Sequence, residues 1–381
     1  MAIYADHAAT TPCLPEVAKA VAEACTECYG NPSSNHYKLG RDARFLIDET
    51  RQSLANLVGI ERVNEIVFTS GATESCNMAI LGVAQRRMHT RPRIITMETE
   101  HPAILQPLSH ISSAGFDVQI VKCQSNGQMD LDHLSHLCNQ ETALVCAMLV
   151  NNETGVIQDL HGISSIAHQS GALVICDATQ ALGKISIKNI SYNADFLAFS
   201  AHKCYGPKGV GALWIRRHLD ISPLFYGGGQ EQERRSGTEN VPGIAGWNAA
   251  LANINENEFE YSKKIGGLQI RLESAIKNGL PDVIFNGQKS LRAPGFTSLT
   301  LPGLPRGWLT QLNGICASSG SSCSSGQAKP SRVLQAYGHN NEDAANSLRI
   351  TLGINNNEAE IDEIAKCVID GARRLQRRDF A

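Results

Sequence analysis

The chain has 381 residues and a formal net charge of −3 at pH 7. This length suffices for a large core and two domains, and the small negative charge argues against direct nucleic-acid binding. The longest apolar run, residues 143–150, is too short to cross a bilayer, so we expect no membrane span. Twelve scattered cysteines, with no secretory signal at the start of the sequence, predict a reducing, cytoplasmic location.

Short apolar runs predict β-strands at residues 65–69, 93–97, 118–121, 143–150, 173–176, 196–199 and 211–215. Most of these runs are nearly continuous in apolar residues, as expected for strands that are covered on both faces. Helical stretches alternate with the strands, which predicts βαβ units and a mainly parallel sheet.

A long helical pattern follows the last of these strands. Apolar residues recur at spacings of three and four from Ile244 to about Leu280. We expect this stretch to link a large domain, residues 13–258, to a smaller α+β C-terminal domain formed by residues 1–12 and 259–381.

The chemistry of the sequence centres on Lys203, which follows a predicted strand in the run Ser-Ala-His-Lys. The preceding strand ends in Asp177. A lysine amine can hold pyridoxal phosphate (PLP) as a Schiff base, and an aspartate can pair with the pyridinium nitrogen. An isolated lysine here would be an ordinary surface residue, but its neighbourhood favours a cofactor site that also includes Gln180, Ser200 and His202.

A second segment, Thr-Ser-Gly-Ala-Thr-Glu at residues 69–74, follows a strand and opens a helix. Main-chain N–H groups at such a helix start, with the Thr73 hydroxyl, form a cradle for phosphate. The alternative is a plain helix cap, with Ser70 or Thr73 at the N-cap. Combined with Ser200 and His202, the pattern favours phosphate binding.

Three further residues lie where ligands collect in α/β sheets, or on a strand of the smaller domain. His101 follows a strand and could stack on a cofactor ring and move protons, although a satisfied loop histidine is the alternative. Asn152 follows the next strand in a turn rich in Asn and Gly. Arg349 lies in an alternating strand pattern and could clamp a carboxylate, unless it is an edge-strand arginine in water.

Two loops have unusual compositions. The Gly-rich, charged segment at residues 227–240 is compatible with a solvated surface loop. Residues 317–326 form a Ser/Gly loop that contains Cys323. Free cysteines are usually buried, so a polar, exposed loop favours a thiol that moves to a reacting atom. We therefore predict that residues 317–329 are mobile in the resting protein.

These segments, in this order, resemble the cysteine desulfurases, in the class-V aminotransferase branch of the PLP enzymes. The resemblance runs from residues 4–12 to Arg349, and the loop around Cys323 is similar to that of the nitrogen-fixation and iron–sulfur subgroup. It implies an α/β, aspartate-aminotransferase-like (type I PLP) fold and PLP as cofactor, with no metal. It also implies conversion of L-cysteine to L-alanine by a homodimer, with sulfur carried as a persulfide to an acceptor protein.

The resemblance implies roles around the cofactor ring. Lys203 forms the covalent link and handles the Cα proton, and Asp177 pairs with the pyridine nitrogen. Gln180 hydrogen-bonds the ring phenolate, and His101 stacks on the ring.

The resemblance also implies the remaining ligands. Phosphate is held by Ala72, Thr73, Ser200, His202 and, from the neighbouring subunit, Thr238. Asn152 and Arg349 hold the substrate carboxylate, and Cys323 attacks the substrate sulfur.

Cys204 departs from the family pattern, because an aliphatic residue usually follows the lysine, and a thiol there could alter reactivity. Another class-V PLP enzyme, such as an aminotransferase or selenocysteine lyase, is an alternative that Cys323 disfavours. A non-catalytic scaffold is a second alternative. The acceptor stays open: iron–sulfur assembly, tRNA thiolation, DNA phosphorothioation and cofactor synthesis are all compatible.

Overall fold

A computed structural model of the chain describes residues 2–87, 89–304, 308, 312–319 and 330–376. Cys323 and most of the predicted mobile loop, residues 320–329, lie outside this part of the chain. The strands are β1 (Ile3–Tyr4), β2 (Ile66–Thr69), β3 (Arg93–Met97), β4 (Asp117–Val121), β5 (Thr142–Met148), β6 (Leu173–Asp177), β7 (Phe196–Ser200), β8 (Gly211–Ile215), β9 (Ile284–Phe285), β10 (Phe296–Thr300), β11 (Ile315–Cys316), β12 (Ser318–Ser319) and β13 (Ser347–Thr351).

Helices alternate with these strands along the described part of the chain. They are α1 (Pro15–Glu27), α2 (Lys38–Val58), α3 (Ala72–Arg87), α4 (Pro102–Ser113), α5 (Leu131–Leu137), α6 (Leu160–Gln169), α7 (Val241–Gly279), α8 (Arg332–Ala336), α9 (Asn341–Ala345) and α10 (Glu358–Gln376). No helix in the described ranges is long and apolar enough to span a membrane.

The large sheet has the strand order β2-β8-β7-β6-β5-β3-β4 within the described residues. Strand β8 is antiparallel to both of its neighbours, and the remaining pairs are parallel. The predicted α/β fold with a mainly parallel sheet is therefore confirmed. All seven strands predicted from apolar runs are present in this sheet, with ends that differ by two residues or fewer.

Burial on both faces explains why these strands have continuous apolar sequences. Every residue of β5 is buried, and so is every residue of β7 and β8. One apolar cluster covers the face that includes Val145 and Leu197, and another covers the face that includes Leu144 and Phe196. Alternate side chains of each strand thus enter opposite layers of core.

The parallel strands bring chemically important residues to one edge of the sheet. Asp177 ends β6, Ser200 ends β7, and His101 follows β3 after a short turn. Since parallel strands end at the same edge, these residues converge although they are far apart in sequence.

A smaller antiparallel sheet, in the order β12-β13-β10-β9, is formed by the C-terminal part of the chain. Strand β1 pairs in parallel with β11, so the N-terminal residues join this part. The predicted linking helix is α7, which packs against α1, α2 and α10. The domain boundaries, residues 13–258 against 1–12 and 259–381, stay a prediction.

Candidate active site

A cavity of about 550 Å³ lies at the carboxyl edge of the large sheet. Of the twelve residues predicted for the site, ten line this cavity: Ala72, Thr73, His101, Asn152, Asp177, Gln180, Ser200, His202, Lys203 and Arg349. The exceptions are Thr238, which is exposed and is not part of this lining, and Cys323, which is not among the described residues.

Lys203 ends a short 3₁₀ turn that directly follows β7. Its Nζ atom donates hydrogen bonds of 2.7 Å to the main-chain oxygens of Ala8 and Ala9. The N-terminal segment therefore supplies two hydrogen-bond acceptors for the lysine amine. Sequence reasoning missed this contribution, because main-chain oxygens leave no side-chain signal.

Asp177 and Gln180 form the floor of the cavity on the β6 side. Asp177 is only 6% exposed, and its Oδ1 atom accepts a 3.0 Å hydrogen bond from the Thr179 N–H. Gln180 donates from Nε2 to the Ala8 oxygen at 2.8 Å. The Gln180 Oε1 atom is buried and has no hydrogen-bond partner among the described residues, so a polar ligand could complete its bonding.

His101 is the N-cap of α4, where its Nδ1 atom accepts a 3.1 Å hydrogen bond from the Ala103 N–H. This contact places the proton of the neutral ring on Nε2. Burial lowers the pKa of His101, and the charges of Lys203 and Arg332 act in the same direction, whereas Asp177 opposes them. His101 thus enters the cavity wall as a neutral imidazole with an N–H to donate.

The start of α3 borders the opposite end of the cavity, and two glycines bring it there. A Cβ atom on Gly211 would lie 2.5 Å from the Gly71 Cα, so the loop before α3 approaches β8 closely only with glycine. Gly71 itself has φ +154, in the region that favours glycine. The first turn of α3 and Ser200 consequently face the same space, which suits an anion.

His202 lines the same cavity as Ser200 and the first turn of α3. Its Nδ1 atom is 3.1 Å from the Thr10 hydroxyl. Burial lowers the pKa of His202 to about 4, and the positive charges of Lys203 and Lys208 contribute. The ring is therefore neutral at neutral pH, and it can act as a hydrogen-bond partner but not as a cation.

Arg349 is buried in β13, between β12 and β10, so the alternative of an edge-strand arginine in water is wrong. Its Nη1 atom donates to the Asn152 main-chain oxygen at 2.9 Å, and Nη2 donates to Asp6 Oδ1 at 2.7 Å. The Nε atom is buried and has no partner in the described part of the chain. Asp6 lies in the N-terminal motif of the resemblance, but no role could be assigned to it from the sequence alone.

The charged loop at residues 227–240 is not simply solvated, contrary to its composition. The Glu231 carboxylate is buried and forms an ion pair of 2.9 Å with Arg51. Glu239 is also buried, and it pairs with Arg44 at 2.9 Å. The loop is thus fastened to α2 by two of its glutamates.

Cys204 points away from the cavity. Its thiol is buried and donates a 3.3 Å hydrogen bond to the Ala201 main-chain oxygen. Burial raises the pKa of this thiol to about 11. Since Cys204 is a buried, protonated residue outside the lining, we expect no direct reaction at the site.

The family model described as aminotransferase class-V matches residues 3–364. The chain belongs to this family. A cysteine desulfurase IscS from Rickettsia bellii (strain OSU 85-389) is 38% identical over 378 residues, which is 98% of this chain and 92% of that protein. A solved structure of a NifS-like protein has a TM-score of 0.90 and 34% identity, covering 98% of this chain and 100% of its own. A structure of SspA in complex with cysteine has a TM-score of 0.80 and 29% identity, over 92% and 99% of the two chains.

These likenesses confirm the assignment to the cysteine desulfurases that the sequence motifs suggested. They also confirm the aspartate-aminotransferase-like fold, because the NifS-like structure matches over nearly the entire chain. Class-V aminotransferases and cysteine desulfurases are families of PLP enzymes.

Proposed function

We propose that this chain converts L-cysteine to L-alanine with PLP held at Lys203, and that the sulfur leaves as a persulfide on Cys323. The observation that carries the proposal is one cavity that holds three complementary groups. These are the amine of Lys203, the buried carboxylate of Asp177 and the guanidinium of Arg349.

The residues present fit PLP as the cofactor. The first turn of α3, with Ser200 and His202, offers neutral hydrogen-bonding groups and a helix start for the phosphate. The buried Asp177 carboxylate suits a protonated ring nitrogen. Gln180 uses one of its two Nε2 hydrogens on Ala8, so the second can reach the ring phenolate. The Lys203 amine is the group that would form the covalent link.

Lys203 also serves as the base at the substrate Cα. When bound, PLP supplies an electron sink for the pair left by the broken Cα–H bond. The Lys203 amine takes this proton after the substrate has displaced it. The Ala8 and Ala9 oxygens, each 2.7 Å from Nζ, then stabilise the ammonium by charge-assisted hydrogen bonds.

Arg349 and Asn152 orient the substrate through its carboxylate. Arg349 lines the cavity, its Nε atom has no partner among the described residues, and its Nη1 bond to the Asn152 oxygen restrains the guanidinium. A planar fork binds a carboxylate with two parallel hydrogen bonds. His101, with a proton on Nε2, could donate a hydrogen bond to a ligand in the cavity.

Cys323 receives the sulfur. Its thiolate attacks the substrate sulfur, so that an S–S bond forms while the Cβ–S bond breaks. The electron pair of the broken bond moves to Cβ, which takes a proton and becomes the methyl group of alanine. In balance, L-cysteine and one enzyme thiol give L-alanine and one enzyme persulfide, and no external oxidant is required.

The proposed function involves two partners of this chain, a second subunit that uses Thr238 and an acceptor protein. The exposed position of Thr238, outside the cavity lining, supports a contribution to the phosphate site of a second subunit in a homodimer. The persulfide is then passed to an acceptor protein. In this proposal the protein acts in the cytoplasm.

The test uses the purified holoenzyme with L-cysteine and compares Cys323→Ala with the wild type. Wild type should release alanine with dithiothreitol present, and the Cys323 peptide should gain one sulfur atom in mass. Cys323→Ala should still change the visible spectrum of the cofactor with L-cysteine but form little alanine. Cys204→Ala, which alters a buried thiol outside the cavity, is the matched control and should keep the persulfide on Cys323.

Two results would contradict the proposal. Alanine formation by Cys323→Ala at the wild-type rate would rule out the persulfide route. Formation of a keto acid from L-cysteine would indicate an aminotransferase. The cofactor link is tested separately by borohydride reduction and peptide mapping, which should label Lys203 and not Lys208, a second lysine at the cavity.

A further inference from the structure

Asp6 joins the proposed carboxylate site to strand β12. Its Oδ1 atom accepts a 2.7 Å hydrogen bond from Arg349 Nη2, and its Oδ2 atom accepts one of 2.5 Å from the Ser318 hydroxyl. Ser318 and Arg349 are directly opposite each other in the β12–β13 pair. All three residues line the cavity, so this ion pair is part of the cavity wall.

The ion pair neutralises the cation that the substrate needs. The Arg349 side chain is 4% exposed and that of Asp6 is 17% exposed, so the pair lies largely out of water. In such a place an approaching carboxylate meets an arginine whose charge is already balanced. Two carboxylates on one guanidinium would also repel each other strongly at low dielectric.

The partners of Asp6 allow it to release Arg349. The Ser318 hydroxyl donates to Asp6 Oδ2, whereas Arg349 contacts Oδ1. Part of the Asp6 side chain is also accessible to solvent. Asp6 would therefore keep a hydrogen bond after losing the guanidinium. Arg349, in contrast, is held at Nη1 by the Asn152 oxygen and would keep its orientation.

We propose that Asp6 competes with the substrate carboxylate for Arg349. Asp6 pairs with Arg349 before the substrate binds, and it releases Arg349 when the substrate carboxylate takes its place. The inference rests on the proposed role of Arg349 as the carboxylate ligand. Asp6 is thus a positioning residue that lowers the affinity of the site for α-carboxylates and keeps Arg349 from carrying a buried, unpaired charge.

The test measures ligand binding to the holoenzyme by isothermal titration calorimetry, without turnover. L-alanine carries the α-carboxylate, and L-alaninamide is the matched ligand that lacks it. Asp6→Asn keeps the shape and one acceptor oxygen but removes the competing charge. L-alanine should bind this variant about tenfold more tightly than wild type, since a charged hydrogen bond no longer has to be exchanged. L-alaninamide should bind both proteins within about twofold.

A second variant, Ser318→Ala, keeps the ion pair and removes the hydroxyl that would retain Asp6 after exchange. It should weaken L-alanine binding by about threefold, because the Ser318 hydroxyl bonds the released, un-neutralised Asp6 carboxylate more strongly than the ion-paired one. This arm keeps the proposal testable if Asp6→Asn does not fold, which thermal unfolding would show. An unchanged or weaker affinity of Asp6→Asn for L-alanine overturns the proposal. So does unchanged binding to Ser318→Ala if that is the variant that folds.

Arg349→Gln separates this inference from the proposed function. If Arg349→Gln binds L-alanine as tightly as wild type, Arg349 is not the carboxylate ligand, and both ideas fail. If Arg349→Gln binds L-alanine weakly while Asp6→Asn gives no tightening, the role of Arg349 stands and only the competitor is wrong.

Discussion

The Nζ atom of Lys184 donates a 3.0 Å hydrogen bond to the main-chain oxygen of Lys203. One lysine therefore supports the backbone of the other. Although part of the Lys184 residue is accessible, desolvation of its amine lowers the pKa to about 7; Cys204 opposes this shift and the charge of Lys203 adds to it. The same amine contributes to the lowered pKa of His202. Below about pH 7, where its amine is protonated, Lys184 is thus a source of positive potential beside Lys203.

Lys184→Met should remove this potential while keeping a side chain of similar length. Where Lys184 is charged, its positive charge disfavours protonation of the nitrogen in the proposed link between Lys203 and the cofactor, so its loss should raise the pKa of that nitrogen, by at most about one unit. A pH titration of the visible absorption of the holoenzyme measures this pKa. Lys188→Met, at an exposed position four residues further along, is the control and should titrate like wild type. Identical curves for the two variants would contradict the role of Lys184.

Glu153 should make stability depend on pH. Burial raises the pKa of Glu153 to about 7, and the Ser331 hydrogen bond and the charges of Arg349 and Arg332 only partly offset this. The folded protein thus holds a proton that the unfolded chain releases above about pH 4.5. The proton held by Glu153 therefore contributes to the free energy of unfolding. This contribution is fully present below about pH 4.5 and is lost as the pH rises through about 7.

Glu153→Gln is the matched variant, because it keeps an acceptor for Ser331 but cannot ionise. At about pH 8 it should be more stable than wild type by about 2 kcal/mol, and at about pH 5 the two should differ little. Urea unfolding at both pH values measures the difference. An advantage of the variant that is the same at both pH values would mean that ionisation of Glu153 is not its cause.

Removal of one partner of the buried Arg51–Glu231 pair should be strongly destabilising. The two side chains are 7% and 1% exposed, and Glu231 Oε2 also accepts a 2.8 Å hydrogen bond from the Phe68 N–H. Glu231→Gln would leave the Arg51 cation buried without a counter-charge, at a cost of about 3 kcal/mol in the free energy of unfolding.

The control for this prediction is the exposed pair of Arg271 and Asp362, which has equally short contacts of 2.8 Å. Asp362→Asn should leave the free energy of unfolding almost unchanged, since water screens exposed ion pairs. Urea unfolding of both variants decides the matter. Equal effects would show that burial does not determine the contribution of the Arg51–Glu231 pair.

Hybrid dimers test the position of Thr238. If Thr238 serves the partner's site, then a hybrid of Lys203→Ala and Thr238→Val subunits contains one intact site, with both native residues. Such a hybrid should retain half of the cofactor content of wild type, bound with wild-type affinity. If Thr238 acts within its own subunit, no site in the hybrid is intact, and the remaining cofactor should dissociate as readily as from Thr238→Val homodimers.

The sequence predicted the large sheet well because its strands are buried on both faces. A run such as residues 143–150 can be satisfied only by a covered strand or a buried helix, and its length favours the strand. The short strands of the smaller sheet escaped prediction. Strands β9 and β12 of that sheet are two residues long, as are β1 and β11 outside it, and nothing in a dipeptide distinguishes a strand from a turn.

The candidate site was predictable where chemistry requires a rare side chain in an informative motif. Lys203 and Asp177 stand out through the motif that they form with Gln180, Ser200 and His202, since an isolated lysine after a strand would be an ordinary surface residue. The oxygens of Ala8 and Ala9 could not be found in this way, since every residue has one. The buried state of Glu231 was also hidden, because its neutralising partner, Arg51, is far away in the sequence.

The attachment of the N-terminal segment has a consequence for biosynthesis. Asp6 and Arg349 are separated by 343 residues, and in the described part of the chain β1 pairs with the late strand β11. During translation the first residues must wait on the order of tens of seconds for these partners to emerge from the ribosome. A nascent chain that stops early therefore has neither Arg349, the proposed carboxylate ligand, nor the pairing that holds β1. The site can therefore assemble only after the C-terminal part of the polypeptide has been synthesised.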